Sequence, residues 1–436
     1  MGMKTALIIF EKVGAGHQRV ATLIASMLAE QEDLRIVTIA GSELFEDPSV
    51  EWINRVWNGL IRMNRIGLAD AIINFLVRAW IVPIMELMST RSYHAKLDEV
   101  APSLIICTAD GFSKILGEYA KERGIPLYMI NTEFTTFEDM VSPAATHLCY
   151  FEDTVNAIRS YSFDAAYFST PLVRTSTLRE RLRYVRQVFR QRRRAGGARS
   201  IYRNIDRQHT AANDARCHAI GPLVEPAYFT PCDGAEVRRR LGVSSERPCV
   251  LVISGSIGGK YIDAVVESFQ SLAQTPVTLL CVCGRDERAR RRLVARRERS
   301  LGREGLCEVI PLGYVDNMVE LYAACDVVIA RPSASVFIEA MMRRVPLIIP
   351  ERATSNDQGG AVLLQRHGLG EVYRSEREML RAFAGIIAAR GAYVDAISRF
   401  LAPYPSTYDE LRRAVLKILS HDSQSPSALT QPRESA

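Results

Sequence analysis

A chain of 436 residues exceeds one ordinary domain and suits two, and 47% hydrophobic with 24% charged residues excludes a disordered or fibrous protein. The net charge of +6 is local, because residues 175–216 hold twelve arginines against Glu180, Asp206 and Asp214, a balance of +9 that leaves −3 elsewhere. Aromatic residues are sparse among these arginines and the remainder is acidic, which argues against nucleic acid as a partner. Nine scattered cysteines without CxxC spacing predict reduced thiols, a cytoplasmic protein and no metal site. Residues 1–10 lack the long apolar core and cleavage site of a signal peptide.

In chain order, strand-like apolar runs alternate with helical patterns, as in parallel α/β proteins. Residues 5–10 predict a strand, 14–16 a glycine turn, 18–29 a helix and 35–40 the next strand. Residues 52–88 read as helices rich in Trp, Ile and Leu. Their most apolar part, 68–88, has the length of a bilayer span but carries Asp70, Arg78, Pro83 and Glu86, which argues against one. Further strands are predicted at 104–108, 127–131 and 147–151. In the basic segment, Leu178, Leu182, Val185 and Phe189 recur at helical spacing among arginines, predicting an amphipathic basic helix that ends at Ala195-Gly196-Gly197-Ala198.

A second series follows Gly221-Pro222. Strands are predicted at 249–254, 277–283, 309–311, 327–330 and 346–350, with helices at 261–272, before Arg299, at 317–324 and at 335–343. One architecture repeated twice predicts two Rossmann-like α/β domains facing a central cleft. The boundaries expected are 1–174, a basic insert at 175–218, 219–420, and a disordered Ser/Pro/Gln-rich tail at 421–436.

Three motifs suit chemistry at such a cleft. In Val13-Gly14-Ala15-Gly16-His17, Gly14 and Gly16 allow a ligand to approach backbone amides at a helix N-terminus. His17 then stands at the cleft mouth, where a neutral imidazole accepts a proton from a hydroxyl; the plainer reading is a tight turn with a surface histidine. Gly255, Ser256, Gly258 and Gly259 precede a helix and suit a diphosphate, without the GK[ST] ending of a Walker loop. Glu339 lies in an otherwise apolar helix, so it needs hydrogen bonds, either from ribose hydroxyls or structurally, from a partner such as Arg331 or in a helix-capping role. Asn356 and Asp357 sit in a polar loop positioned to meet sugar hydroxyls. Glu133 and Asp139 follow the 127–131 strand and rank below His17 as alternative bases or as groups that orient it.

The order of these motifs resembles the superfamily of monogalactosyldiacylglycerol synthases, processive diacylglycerol glucosyltransferases and the lipid II-forming N-acetylglucosaminyltransferase. Gly14, Gly16 and His17 resemble its N-terminal glycine turn, and residues 255–259 its second-domain glycine loop. Gly313-Tyr314-Val315-Asp316-Asn317-Met318 is similar to the segment that cradles uracil, which implicates Tyr314 and Met318. Ile338-Glu339-Ala340 resembles the ribose-binding glutamate helix. The chain departs from the pattern at Ser333-Ala334-Ser335, where a glycine turn is usual, and at Asn356 and Asp357, where a Gln-Glu or Gln-Gln pair is common. The two shorter side chains leave the donor sugar open.

The resemblance implies a GT-B fold and an inverting, metal-independent hexose transfer from a UDP-sugar to a diacylglycerol-like lipid, with no cofactor. The second domain would hold UDP-sugar through Ser335, Glu339 and the loops above, and the first would hold the acceptor beside His17. The basic insert and residues 52–88 suit an anionic membrane surface, at the inner face of the cell membrane. The alternatives are a soluble natural-product glycosyltransferase, a UDP-N-acetylglucosamine epimerase and a non-enzymatic membrane-binding relative.

Overall fold

The computed structural model describes residues 3–12, 16–46, 48–63, 65–109, 111–160, 177–194, 202–203, 216–254, 260–300 and 306–421. Its first half contains strands β1 (Lys4–Phe10), β2 (Leu34–Ala40), β3 (Leu104–Cys107), β4 (Leu127–Asn131), β5 (Thr136–Phe137), β6 (Thr146–Cys149), β7 (Tyr202–Arg203) and β8 (Cys217–Ala219). Six of these form one parallel sheet in the order β2-β1-β3-β4-β6-β8, while β5 and β7 make a short antiparallel ribbon. The second half contains β9 (Cys249–Ile253), β10 (Val277–Val282), β11 (Cys307–Leu312), β12 (Val327–Ala330), β13 (Leu347–Pro350) and β14 (Gly370–Tyr373). They form a second parallel sheet, β11-β10-β9-β12-β13-β14.

The central strands are continuous apolar runs because helices cover both faces of each sheet, so alternation would leave polar groups buried. Every residue of β9 and β10 is buried, as are β3 and β4. The edge strand β14 was not anticipated; at Gly370–Tyr373 three of its four residues are only half-buried, and its apolar signal is correspondingly short.

Two boundaries differ from the sequence reading. Cys217–Ala219 pairs with β6 as the last strand of the first sheet, so the basic segment interrupts the first domain rather than linking two domains. The last helix, Tyr408–His421, returns to the first domain, where Tyr128 Oη donates to the carbonyls of Ile418 and Leu419 at 3.2 and 3.1 Å. One apolar cluster runs through both domains and includes Phe134, Phe151 and Phe337, the rings of Phe134 and Phe337 lying 4.9 Å apart.

The apolar region folds as helices Pro48–Arg62 and Ile66–Ala71, a π-helical stretch Ile72–Ile81, and a helix Val82–Val100. Among the described residues no single helix is long and apolar enough to cross a bilayer. The bent pair 66–78 and 82–100, at 52°, meets that test by length and composition alone. Leu68, Leu76, Ile84 and Met88 are exposed, whereas Arg78 and Glu86 are buried on the inner side. The basic segment forms a helix, Leu178–Arg194, that packs beside Val82–Val100. Its Tyr184 is buried and its Leu178 and Leu182 are exposed, so part of the apolar stripe faces outward.

Candidate active site

In an open parallel sheet, ligands bind beyond the carboxyl ends of the strands where the strand order reverses. The first sheet reverses between β1 and β3, the second between β9 and β12. Residues following these strands line one cavity of about 1160 Å³ between the domains. From the first domain come Gly16, His17, Thr132, Glu133 and Asp139; from the second, Ser254, Tyr314, Met318, Arg331, Ser335, Glu339, Asn356 and Asp357. Gly14, Gly255, Ser256, Gly258 and Gly259 lie outside the described residues.

His17 occupies the first turn of helix Gly16–Leu28 and is buried, contrary to the surface-turn reading. Its Nδ1 lies against the Thr108 carbonyl just after β3, with Thr132 Oγ1 at 3.1 Å just after β4. A carbonyl oxygen only accepts, so Nδ1 carries the proton. Nε2 is then the lone-pair nitrogen of the neutral ring, the tautomer a base needs. Thr108 Oγ1 also donates to the His17 carbonyl at 3.1 Å, pinning the turn itself. The orienting role offered to Glu133 or Asp139 thus falls to Thr108 and Thr132.

Asp139 has a different task. Its Oδ2 accepts from Arg78 Nε at 3.1 Å, and the Arg78 guanidinium stacks 3.6 Å from the Phe137 ring centre. Both groups are buried, and a buried guanidinium needs a counter-ion. Asp139 is that counter-ion rather than an alternative base. Glu133 lines the same cavity near Tyr150, whose hydroxyl is pushed up first by burial and then by the Glu133 charge.

On the opposite wall, helix Ala334–Met342 starts at the cavity and carries Ser335 and Glu339. Gly16 abuts it so closely that a Cβ there would lie 2.9 Å from Ser335 Oγ. Glu339 is buried, and its Oε1 accepts from Arg19 Nη1, not from Arg331. Arg19 also makes a two-pronged pair with Glu225, Nε to Oε1 at 2.9 Å and Nη2 to Oε2 at 2.8 Å. Burial alone would lower the Arg19 pKa, yet the carboxylates of Glu339 and Glu225 outweigh it and the net shift is upward. Arg331 instead donates to the Ser254 carbonyl, and burial lowers its pKa. Tyr314 is exposed with the Arg285 guanidinium 5.1 Å from its ring centre. Met318 opens helix Met318–Ala324.

The polar loop after β13 is held from the other domain. Ser355 N donates to Asp70 Oδ1 at 2.6 Å and Ser355 Oγ to Asp70 Oδ2 at 2.9 Å. Asn74 Nδ2 donates to Ser355 Oγ at 2.9 Å, and Arg78 Nη1 to Asn356 Oδ1 at 2.9 Å. Asp357 accepts from Thr354 Oγ1 at 2.8 Å. Burial, aided by the Asp70 charge, raises the Asp357 pKa to about 6 against the opposing effects of Thr354 and Arg331. The seam closes at Gly359, where a Cβ would lie 2.7 Å from Phe134 Cβ and 2.8 Å from its carbonyl carbon. Sequence reasoning missed Arg19, Glu225, Asp70 and Asn74. The available signal was a stripe, since Asp70, Asn74 and Arg78 recur every four residues in an apolar stretch.

Residues 249–381 match the glycosyltransferase family 28 C-terminal domain. The matched segment comprises β9 to β14 with the Arg331, Ser335, Glu339 and Asn356 wall. The chain is 24% identical over 187 residues to monogalactosyldiacylglycerol synthase 1 of Arabidopsis thaliana, covering 41% of this chain and 33% of that one. It is 26% identical over 183 residues to the processive diacylglycerol beta-glucosyltransferase of Staphylococcus carnosus, covering 41% and 44%. A third relative is the UDP-N-acetylglucosamine--N-acetylmuramyl-(pentapeptide) pyrophosphoryl-undecaprenol N-acetylglucosamine transferase of Cutibacterium acnes, 31% identical over 177 residues, 40% and 42%. The chain thus spans a third to under a half of the length of these relatives. The whole fold is similar to Acinetobacter baumannii MurG, with TM-score 0.58, 13% identity and coverage of 95% and 99%. It is also similar to CalG4, the calicheamicin glycosyltransferase, with TM-score 0.54, 14% identity and coverage of 96% and 98%. These likenesses establish the GT-B architecture of the two sheets.

Proposed function

We propose that the chain is an inverting glycosyltransferase that moves a hexose from a UDP-sugar to a diacylglycerol-like lipid at a membrane surface. The observation that carries this reading is the buried His17, its Nδ1 on the Thr108 carbonyl, lining the same cavity as the Glu339 helix of the family 28 domain. Nε2 takes the proton of the acceptor hydroxyl as its oxygen bonds the anomeric carbon. The bond from that carbon to the β-phosphate oxygen breaks on the opposite face, and UDP leaves with the electron pair. The N-terminus of helix Ala334–Met342 favours the charge that develops there. Tyr314 and Met318 are assigned to the uracil, Glu339 to the ribose, and Asn356 and Asp357 to the sugar.

The lipid acceptor is supported by the names of two curated relatives and by exposed apolar and basic side chains of the first domain. Leu68, Leu76, Ile84 and Met88 are exposed, and the helix Leu178–Arg194, with exposed Arg179, Arg183 and Arg186, packs against Val82–Val100, which carries Ile84 and Met88. Apolar side chains enter the acyl boundary while arginines meet anionic headgroups, at the inner face of the cell membrane. The test is a screen of UDP-sugars against lipid extracts with products detected by mass and the anomeric configuration read by NMR. A new glycolipid of inverted configuration is expected; UDP-sugar consumption without any lipid product would overturn the acceptor assignment.

A further inference from the structure

The donor-sugar loop takes part of its shape from a helix of the opposite domain. Asp70, Asn74 and Arg78 present one polar face, tied internally by Asn74 Nδ2 to Asp70 Oδ1 at 2.9 Å and by Arg78 Nη1 to Asn74 Oδ1 at 3.3 Å. That face meets Ser355 and Asn356 across the domain seam. The outward face of the same segment carries the exposed Leu68 and Leu76.

Resting on the UDP-sugar reading, we propose that Arg78 is a positioning residue for sugar recognition, turning the Asn356 amide so that its NH₂ group faces the donor hexose. A guanidinium has five N–H donors and no acceptor, so the Asn356 atom at 2.9 Å must be the oxygen. The amide nitrogen with its two donors is therefore the end left for a ligand, and Asn356 lines the cavity. Arg78 itself is fixed by Asp139 Oδ2 at 3.1 Å and by the Phe137 ring at 3.6 Å. The next residue, Asp357, also lines the cavity and as a carboxylate only accepts. Side by side, the loop offers a donor group and an acceptor group, a match for two neighbouring sugar hydroxyls, one accepting from Asn356 and the other donating to Asp357. The clamp reaches the hexose alone, since UDP is assigned to Glu339, Tyr314 and Met318.

Titration calorimetry of the full chain with UDP, UDP-glucose and UDP-galactose tests this, comparing wild type with Arg78→Met, Arg78→Lys, Asn356→Ala and the Arg78→Met/Asn356→Ala double variant. Arg78→Met is expected to weaken the better UDP-hexose about tenfold, the scale of one lost hydrogen bond network, with UDP affinity within about twofold. The double variant is expected to be no worse than Asn356→Ala alone, because Arg78 acts through that amide. Arg78→Lys keeps the Asp139 counter-charge without the planar fork, so it folds like wild type and recovers only part of the hexose affinity. Equal losses for UDP and UDP-hexose, or additive losses in the double variant, overturn the clamp alone. A wild-type chain that binds neither UDP nor UDP-hexose overturns the nucleotide-sugar reading and the clamp with it.

Discussion

The two crevices are built by the same topological reversal and hold their functional groups in opposite ways. At the first, between β1 and β3, His17 is fixed by a backbone carbonyl and a threonine hydroxyl, so its ring meets no charged partner at Nδ1. At the second, between β9 and β12, Glu339 is matched by Arg19, a residue two positions after His17 on the other domain. A neutral base needs a fixed tautomer, whereas a buried carboxylate needs a counter-charge until hydroxyl donors arrive. The asymmetry suits one wall that takes a proton and one that grips a nucleotide.

The largest expected effect breaks the acceptor wall. His17→Ala should lower turnover by about 10²–10⁴-fold, the usual contribution of a positioned base, with UDP-sugar affinity little changed. Stopped assays of product mass beside calorimetric donor titration would read both. A collapse of donor affinity instead would move the nucleotide to the first crevice.

The surface that presents the acceptor should come next. Replacing Arg179, Arg183 and Arg186 with serine should weaken binding to anionic vesicles by about 3 kcal/mol, at about 1 kcal/mol per basic residue. UDP affinity should stay unchanged, and wild-type vesicle binding should fall with salt. Vesicle sedimentation that is indifferent to both would leave the exposed leucines of the 66–100 region as the anchor.

On the donor wall, Glu339→Gln should weaken UDP by about 1–3 kcal/mol, the range for hydrogen bonds to a charged group. It should also lower the melting temperature, because Arg19 loses one of its two carboxylates. Unchanged UDP affinity with a lower melting temperature would make Glu339 purely a structural partner of Arg19.

Both sheets and the parallel α/β class were legible because buried central strands are continuous apolar runs and the glycine turns punctuate them. The placement of His17 at the cavity was legible from its position after β1. The partners were not. Arg19 and Glu339 lie 320 positions apart and Asp70 and Ser355 lie 285, and no local pattern encodes such pairing. Cys217–Ala219 was read as the edge of a linker because three residues carry too little periodicity to announce a strand. Asp70, Arg78 and Glu86 mark the polar side of an otherwise apolar stretch. Where Asp70 and Arg78 end, against Ser355 and Asn356 of the other domain, depends on a partner surface that composition cannot supply.

The smallest effect sharpens the donor wall further. The Asp357 pKa is raised to about 6, above the ordinary carboxylate value, so the folded state holds this proton more tightly than the unfolded chain. Its contribution to stability therefore falls as pH rises from about 4 to 6 and is constant above that window. Asp357→Asn should raise the melting temperature at pH 7.5 by a few degrees and flatten the profile between pH 4 and 6. An unchanged profile would mean that Asp357 titrates like an exposed carboxylate.

The division of labour between the two crevices is tested most directly by hydrogen–deuterium exchange of the full chain with and without UDP. The strongest protection is expected in the first turns of helix Ala334–Met342 and at Met318–Ala324, with little change around His17 and Thr108. Protection concentrated at Gly16–Val20 and Thr108, with none at Ala334–Met342, would contradict that division.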